Sequence, residues 1–191
     1  ARAALARFSR SGQGCPRATA EALLIRSDLE LASGAISEAE SCAGEALRLF
    51  TVAKDKEGSG RSRLRRGLAL IEQGRCEEAI REARRVRTAS APCRRGQFGL
   101  ALLVEGRALL RLGRPAARVF GRARDVAERP FRDAAELGLA VAQGGTWASA
   151  EVQRALAALE AWGDRRVLAY ALSDLRARLG PQARSGEAAP R

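Results

Sequence analysis

The sequence predicts an all-α protein made of antiparallel helix hairpins, and three observations carry that expectation. Ala, Leu, Arg and Glu dominate the 191 residues and all favour helix, whereas strand formers are scarce, with one Tyr, five Phe and two Trp. Breakers separate stretches of helical length. Finally, a small residue followed seven places later by a Gly recurs: Ser27 with Gly34, Gly67 with Gly74, Gly106 with Gly113, Gly138 with Gly145, and Ser173 with Gly180. The Gly members lie 40, 39, 32 and 35 residues apart.

Taken in order, residues 1–19 read as the remnant of a preceding helix, and residues 20–180 as four hairpins plus a terminal helix. Each small residue marks the first helix of a hairpin, because it lets a second helix approach closely. The Gly after it supplies a left-handed C-cap. A second helix is expected after each of the first four turns: SEAESCAGEALRLF, RCEEAIREARRVRTA, PAARVFGRARDVAER and TWASAEVQRALAALEAW. Pro115 fits a helix start, where its missing N–H is harmless. Breaks between hairpins are expected at DKEGSG (55–60), SAPC (90–93) and Arg129–Pro130. Over 165–179, Leu168, Ala171, Leu172, Leu175 and Leu179 form one stripe beside polar Arg165, Asp174 and Arg178, which suits a cap with a polar exterior. The segment 181–191 is expected to be a disordered tail.

These positions resemble the tetratricopeptide repeat (TPR) family, which favours a small residue eight places into its unit, a Gly-like turn seven places later, and alanines five and twelve places after the turn. Ser27, Gly34, Ala39 and Ala46 fill them in the first unit, Gly67, Gly74, Ala79 and Val86 in the second, and Gly138, Gly145, Ala150 and Ala157 in the fourth. The third departs from the pattern, with Arg118 at the first alanine place, so its second helix is expected to be rotated or shortened. The family's aromatic at the fourth place and its closing proline are missing. The resemblance covers residues 20–180. It implies a right-handed superhelical array, a TPR-like α-solenoid with a C-terminal capping helix, whose first helices line a concave wall for a partner segment. It also implies the sensing or docking part of a larger bacterial signalling or transcription-regulatory protein.

Little in the chain points to catalysis. There is no His, no G-x-S-x-G elbow and no G-x-x-x-x-G-K-[ST] loop, so neither an enzyme nor a cofactor or metal site is expected. Cys15, Cys42, Cys76 and Cys93 are too far apart for C-x-x-C chemistry and read as reduced thiols. Cys76 lies in the first turn of a helix, where the dipole lowers a thiol pKa, but no base accompanies it. Cys93, between Pro92 and two arginines, is the thiol whose neighbours most favour the thiolate. DKEGSGR reads as an inter-repeat loop, since no strand precedes it and no lysine follows where a phosphate loop needs one. Within GLALIEQGRCEEAIREA, Ala79 and Ala83 face inward, while Glu77 with Arg81 and Glu78 with Arg81 are spaced for solvated pairs. No run of 18 apolar residues occurs and ARAALARFSR lacks an apolar signal core, so a cytoplasmic protein with no membrane association is expected. With no Met, the chain is expected to be a fragment.

The formal charge is +12, from 34 basic and 22 acidic residues, and only Lys54 and Lys56 are lysines. Such a bias towards Arg, with abundant Ala and Gly, is what a GC-rich bacterial genome produces, which discounts charge as a functional signal. Even so, Arg61 to Arg95 holds eleven arginines against four glutamates, a local +7. Arg61, Arg65, Arg84 and Arg85 are the candidates for docking another protein or an adjacent domain with an acidic surface. The alternative is a basic helical-repeat binder of nucleic acid, although aromatics at 4% leave few platforms for stacking bases.

Overall fold

The computed structural model describes residues 15–89 and 95–180. Residues 1–14, the SAPC break with Cys93, and the tail 181–191 lie outside them. The described residues are all-α, with no strand. They form α1 (Pro16–Ser33), α2 (Ile36–Val52), α3 (Lys56–Glu72), α4 (Cys76–Ala89), α5 (Arg95–Arg111), α6 (Ala117–Val126), α7 (Phe131–Ala142), α8 (Ala150–Trp162) and α9 (Arg165–Leu179). Helix α1 starts ahead of residue 20 because Pro16 stands in its first turn, where φ is already preset.

Four connections from an odd to an even helix share one turn. After α1 the Gly34 N–H donates to the Leu31 carbonyl at 3.2 Å and the Ala35 N–H to the Glu30 carbonyl at 2.9 Å. Gly34 sits at φ +81. This is the Schellman closure, which satisfies the last helical carbonyls and places its pivot in the left-handed region. The same pair of bonds recurs around Gly74, Gly113 and Gly144. The fourth pivot is thus Gly144 and not Gly145, because the closure follows a buried apolar residue three places earlier: Leu31, Ile71, Leu110 and then Val141. Helix α2 closes in the same way on Lys54, a non-glycine held at φ +54.

DKEGSG is a helix start rather than a loop. Asp55 is the N-cap, its Oδ1 accepting from the Gly58 N–H at 2.9 Å, and the helix is continuous from Lys56. Gly58 is there because a Cβ would run into the Phe50 ring, and at Gly60 a Cβ would come within 2.7 Å of Gln97 Oε1. Close approach, not a turn, explains these glycines. Pro115 precedes α6 by two residues, in an irregular link, and α6 is the shortest helix at 10 residues.

The second helices bury a common set of positions. In α2 these are Ala39, Cys42, Ala43 and Ala46, and in α4 Ala79, Ala83 and Val86. Where the family pattern puts its first alanine in the third unit, Arg118 is exposed and Phe120 fills the core instead, since α6 begins later after its turn. The fourth unit is displaced as well. Ala150 and Ala157 are exposed, and Val152, Ala155, Leu156 and Leu159 face inward. The longer link Gly145–Ser149 delays α8 and carries its apolar face past the expected alanines.

Each helix packs on the next, and the odd helices also pack on one another, α1 on α3, α3 on α5 and α5 on α7. Helix α9 lies against α5, α7 and α8. One large apolar core runs from Leu31 to Leu175, with a satellite of Ala20, Leu24, Ala46 and Phe50 between α1 and α2. Among the described residues no helix is long and apolar enough to cross a membrane.

Candidate functional site

The layer of odd helices ends in a buried charge cluster beneath α9. Asp174, expected on the polar exterior of the cap, is buried at 7% exposure. Its Oδ2 accepts from Arg107 Nε at 2.5 Å, and its Oδ1 accepts from Arg107 Nη2 and Arg111 Nε, both at 3.1 Å. Glu72 at the end of α3 receives Arg107 Nη2 at 3.0 Å and Arg111 Nη2 at 3.2 Å. Ser173 Oγ donates to Glu72 at 3.0 Å and accepts from Arg111 at 2.7 Å. The Arg107 guanidinium also lies 5.0 Å from the centre of the Tyr170 ring. Two arginines and two carboxylates leave the cluster with no net charge.

Burial pushes the Arg107 guanidinium towards the neutral form, but Asp174 and Glu72 more than reverse this and hold it above its ordinary pKa. An inward Asp on an otherwise apolar stripe is tolerable only because a bidentate arginine meets it. The partners lie 67 residues apart, so no local pattern announces the pair. Asp174 at Leu175's side of the stripe, between Ala171 and Leu175, was the available signal.

Beside this cluster, α3, α5, α7 and α9 enclose an apolar cavity lined by Leu68, Leu103, Leu110, Leu137, Val167 and Leu175, with Arg107 and Asp174 on its wall. Its volume is about 50 Å³.

The four candidate arginines do not form one free patch. Arg61 pairs with Glu21 and Arg65 with Asp28 at 2.5 Å, both joining α3 to α1. Arg84 reaches the buried Glu105 of α5 at 2.7 Å, and Arg85 the buried Glu82 of its own helix at 2.9 Å. Much of the local +7 is therefore spent on internal carboxylates. The buried Glu82 accepts from Arg63 and Arg85 and lies near Arg66. Glu77 pairs with Arg114 and Glu78 with Arg75, neither with Arg81. Exposed arginines such as Arg48, Arg81, Arg118 and Arg122 on even helices, and Arg132, Arg176 and Arg178 on odd ones, form no ion pair with a carboxylate among the described residues.

The small residues that recur seven places before a Gly do separate jobs. Ser27 Oγ, fully buried, donates to the Ala39 carbonyl at 2.9 Å across the first hairpin. At Gly67 a Cβ would lie 3.8 Å from the Ala79 carbonyl, the equivalent place, and 3.0 Å from Val104 of α5. Gly106 and Gly138 both face the Phe120 ring. For Gly106 that is its hairpin partner, whereas Gly138 of α7 meets the second helix of the preceding hairpin. Ser173 belongs to the charge cluster, and Gly180 closes α9 at φ +78.

The Cys42 and Cys76 thiols are both buried. Burial pushes Cys76 above its ordinary pKa, with the Arg111 charge opposing it, so desolvation outweighs any helix-dipole effect. Cys42 is raised for the same reason. Among the described residues no group of three or more His, Cys, Asp or Glu is placed to hold a metal ion. No family model, no curated protein and no solved structure matches the chain.

Proposed function

We propose that the chain is a protein-interaction scaffold of the TPR-like kind, a right-handed array of hairpins whose odd helices form the wall on which a helical partner segment docks. The observation that supports this best is α9, an amphipathic helix lying on α5 and α7 with its apolar residues on the core and Asp174 anchored to wall arginines. The recurring closures at Gly34, Gly74 and Gly113, and the matching places of Ser27 and Gly67 against Ala39 and Ala79, support the repeat reading. On it, the chain serves as the docking or sensing part of a larger regulator, cytoplasmic and without catalysis of its own. The partner it fits is an amphipathic helix with an acidic residue on its apolar face.

The test uses the full chain carrying Asp174→Asn, in which α9 is held less firmly, titrated with a peptide of residues 165–179. Saturable binding that is lost with an Asp174→Lys peptide supports the scaffold. A second reading, nucleic-acid binding, is favoured by the unpaired exposed Arg48, Arg81, Arg118 and Arg122. It predicts a steeply salt-dependent complex with single-stranded RNA. Such a complex, with no peptide binding, overturns the scaffold.

A further inference from the structure

The two lysines of the chain stand together. Of 34 basic residues only Lys54 and Lys56 are not Arg, and both line one open groove, of about 800 Å³, where the turn between α2 and α3 meets the end of α4 and the start of α5. Both are exposed, and neither pairs with a carboxylate among the described residues. Lys54 also holds a position that disfavours it. The closures at Gly34, Gly74, Gly113 and Gly144 put glycine in the left-handed region, whereas the same closure after α2 holds Lys54 there at φ +54. A lysine kept against backbone strain, where glycine fits freely, is explained by what its side chain does.

Further cations face the same groove. Lys56 and Arg63, seven residues apart, share one face of α3 with Ser59 between them, and Arg85 comes from α4. Arg63 and Arg85 meet the same carboxylate, Glu82, at 2.8 and 2.9 Å, so the pair keeps a positive charge in excess. The carboxylate of the lining itself, Asp55, caps α3 and pairs with Arg17 at 3.2 Å. The two ammonium groups and the surplus of the arginines are left to attract an anion.

The spacing decides what kind of anion fits. Seven helical residues rise about 10 Å, close to the span of three extended residues, so Lys56 and Arg63 suit two carboxylates three residues apart on an extended chain rather than one compact phosphate. Single-stranded nucleic acid needs a ring on which a base can stack, and the aromatic in this lining, Phe50, is fully buried. An ammonium on a flexible stem meets a carboxylate as a point charge and demands no fixed fork geometry.

We propose that this groove binds an acidic, extended segment of a partner protein, with carboxylates three residues apart meeting Lys56 and Arg63 and a further one meeting Lys54. The groove shares no lining residue with the cavity beneath α9, and the proposal does not rest on docking along the odd helices, so either can fail without the other.

The full-length chain is titrated, by fluorescence anisotropy, with a rhodamine-labelled ten-residue peptide that has glutamates at every third position and Ser and Gly between them, and with the same peptide carrying glutamines. The glutamate peptide is expected to bind saturably at about 50 mM salt and to weaken steeply by about 300 mM, and the glutamine peptide not to bind. The double variant Lys54→Gly, Lys56→Gln is expected to bind at least about fivefold more weakly, the effect of losing two exposed ion pairs, while keeping the parent's melting midpoint because glycine suits the left-handed position. Arg118→Gln with Arg122→Gln on α6 removes the same charge elsewhere and is expected to leave the affinity unchanged. Absence of saturable binding, equal binding of the glutamine peptide, affinity unaffected by the lysine variant, or equal weakening by the α6 variant would each overturn the proposal. Displacement of the peptide by an equal concentration of inorganic phosphate, or of a single-stranded RNA ten-mer, would overturn it in favour of a compact anion or of nucleic acid.

Discussion

The seam between α1 and α2 and the seam around α6 solve the same packing problem by opposite means. In the first, Ser27 keeps a hydroxyl, spends it on the Ala39 carbonyl, and the contact stays within one hairpin. In the second, the small places are glycines, and the room they leave is taken by a ring: Phe120, 1% exposed, is wedged against Gly106 on one side and Gly138 on the other. A hydroxyl joins two helices, whereas the ring joins three and couples neighbouring hairpins. What the two seams share is the space at that place, and what fills it sets how far the coupling reaches.

The sharpest way to break the comparison is to empty the wedge. Phe120→Ala is expected to cost about 3–5 kcal/mol by leaving a cavity between α5 and α7, read as a fall in the urea or thermal midpoint. Next, Gly106→Leu or Gly138→Leu should each cost about 1–3 kcal/mol by overpacking. Because both collide with the same ring, their double mutant should depart from additivity, while either combined with a change at Ser27 should add. A melt unchanged by either substitution would place the wedge elsewhere. Ser27→Ala, by contrast, should cost only about 1 kcal/mol, the net worth of one buried hydrogen bond.

The smallest effect concerns the junction that follows the first hairpin. The Gly58 N–H bond, opposed by burial and helped by Arg17, holds the Asp55 carboxyl below its ordinary value. A group with a lowered folded pKa stabilises the fold above its unfolded pKa, about 3.9 for Asp, and loses that contribution as pH falls through the folded value. Asp55→Asn, which caps without charge, should therefore lag the parent at pH 7 and draw level with it in acid, as urea midpoints at pH 7 and pH 2.5 would show.

Much of the first two hairpins was legible because their signals are local. Gly34 and Gly74 sit where a helix must close, and Ala39, Ala46 and Ala79 fall at helical spacing from them; all three alanines are fully buried. The boundaries of α9 were legible for the same reason, as an uninterrupted stripe between Asp164 and Gly180. The turn after α7 and the start of α3 were harder. Two adjacent glycines, 144 and 145, both permit the left-handed pivot, and only the buried Val141 three places back decides between them. Gly58 and Gly60 read as breakers because the Phe50 ring and Gln97 that require them lie on other helices.

Charge misled most. Glu82, Glu105 and Asp174 look like surface residues by type, yet each is buried against an arginine from elsewhere in the chain. An inner helix of a hairpin array meets neighbours on several sides, so its polar face can be interior too. The four arginines singled out for a partner also have carboxylates within the chain that their own segment does not reveal, among them Glu21, Asp28 and Glu105 on other helices.

The bond from Ser173 to Glu72 spans 101 residues and alters how the helices come apart. A strictly linear stack unfolds like a zipper, its end unit fraying first because that unit has a neighbour on one side only. Here the end helix is tied back to α3 and α5 through Ser173 and Asp174, so α9 cannot leave without exposing charges in the middle of the chain. The tie makes the stack a closed loop of contacts, in which loss of the last helix and loosening of α3 and α5 become one event. Amide hydrogens of α9 and α5 should then exchange with similar protection, at the price of slower folding, since contacts so distant in sequence must form before the end is stable.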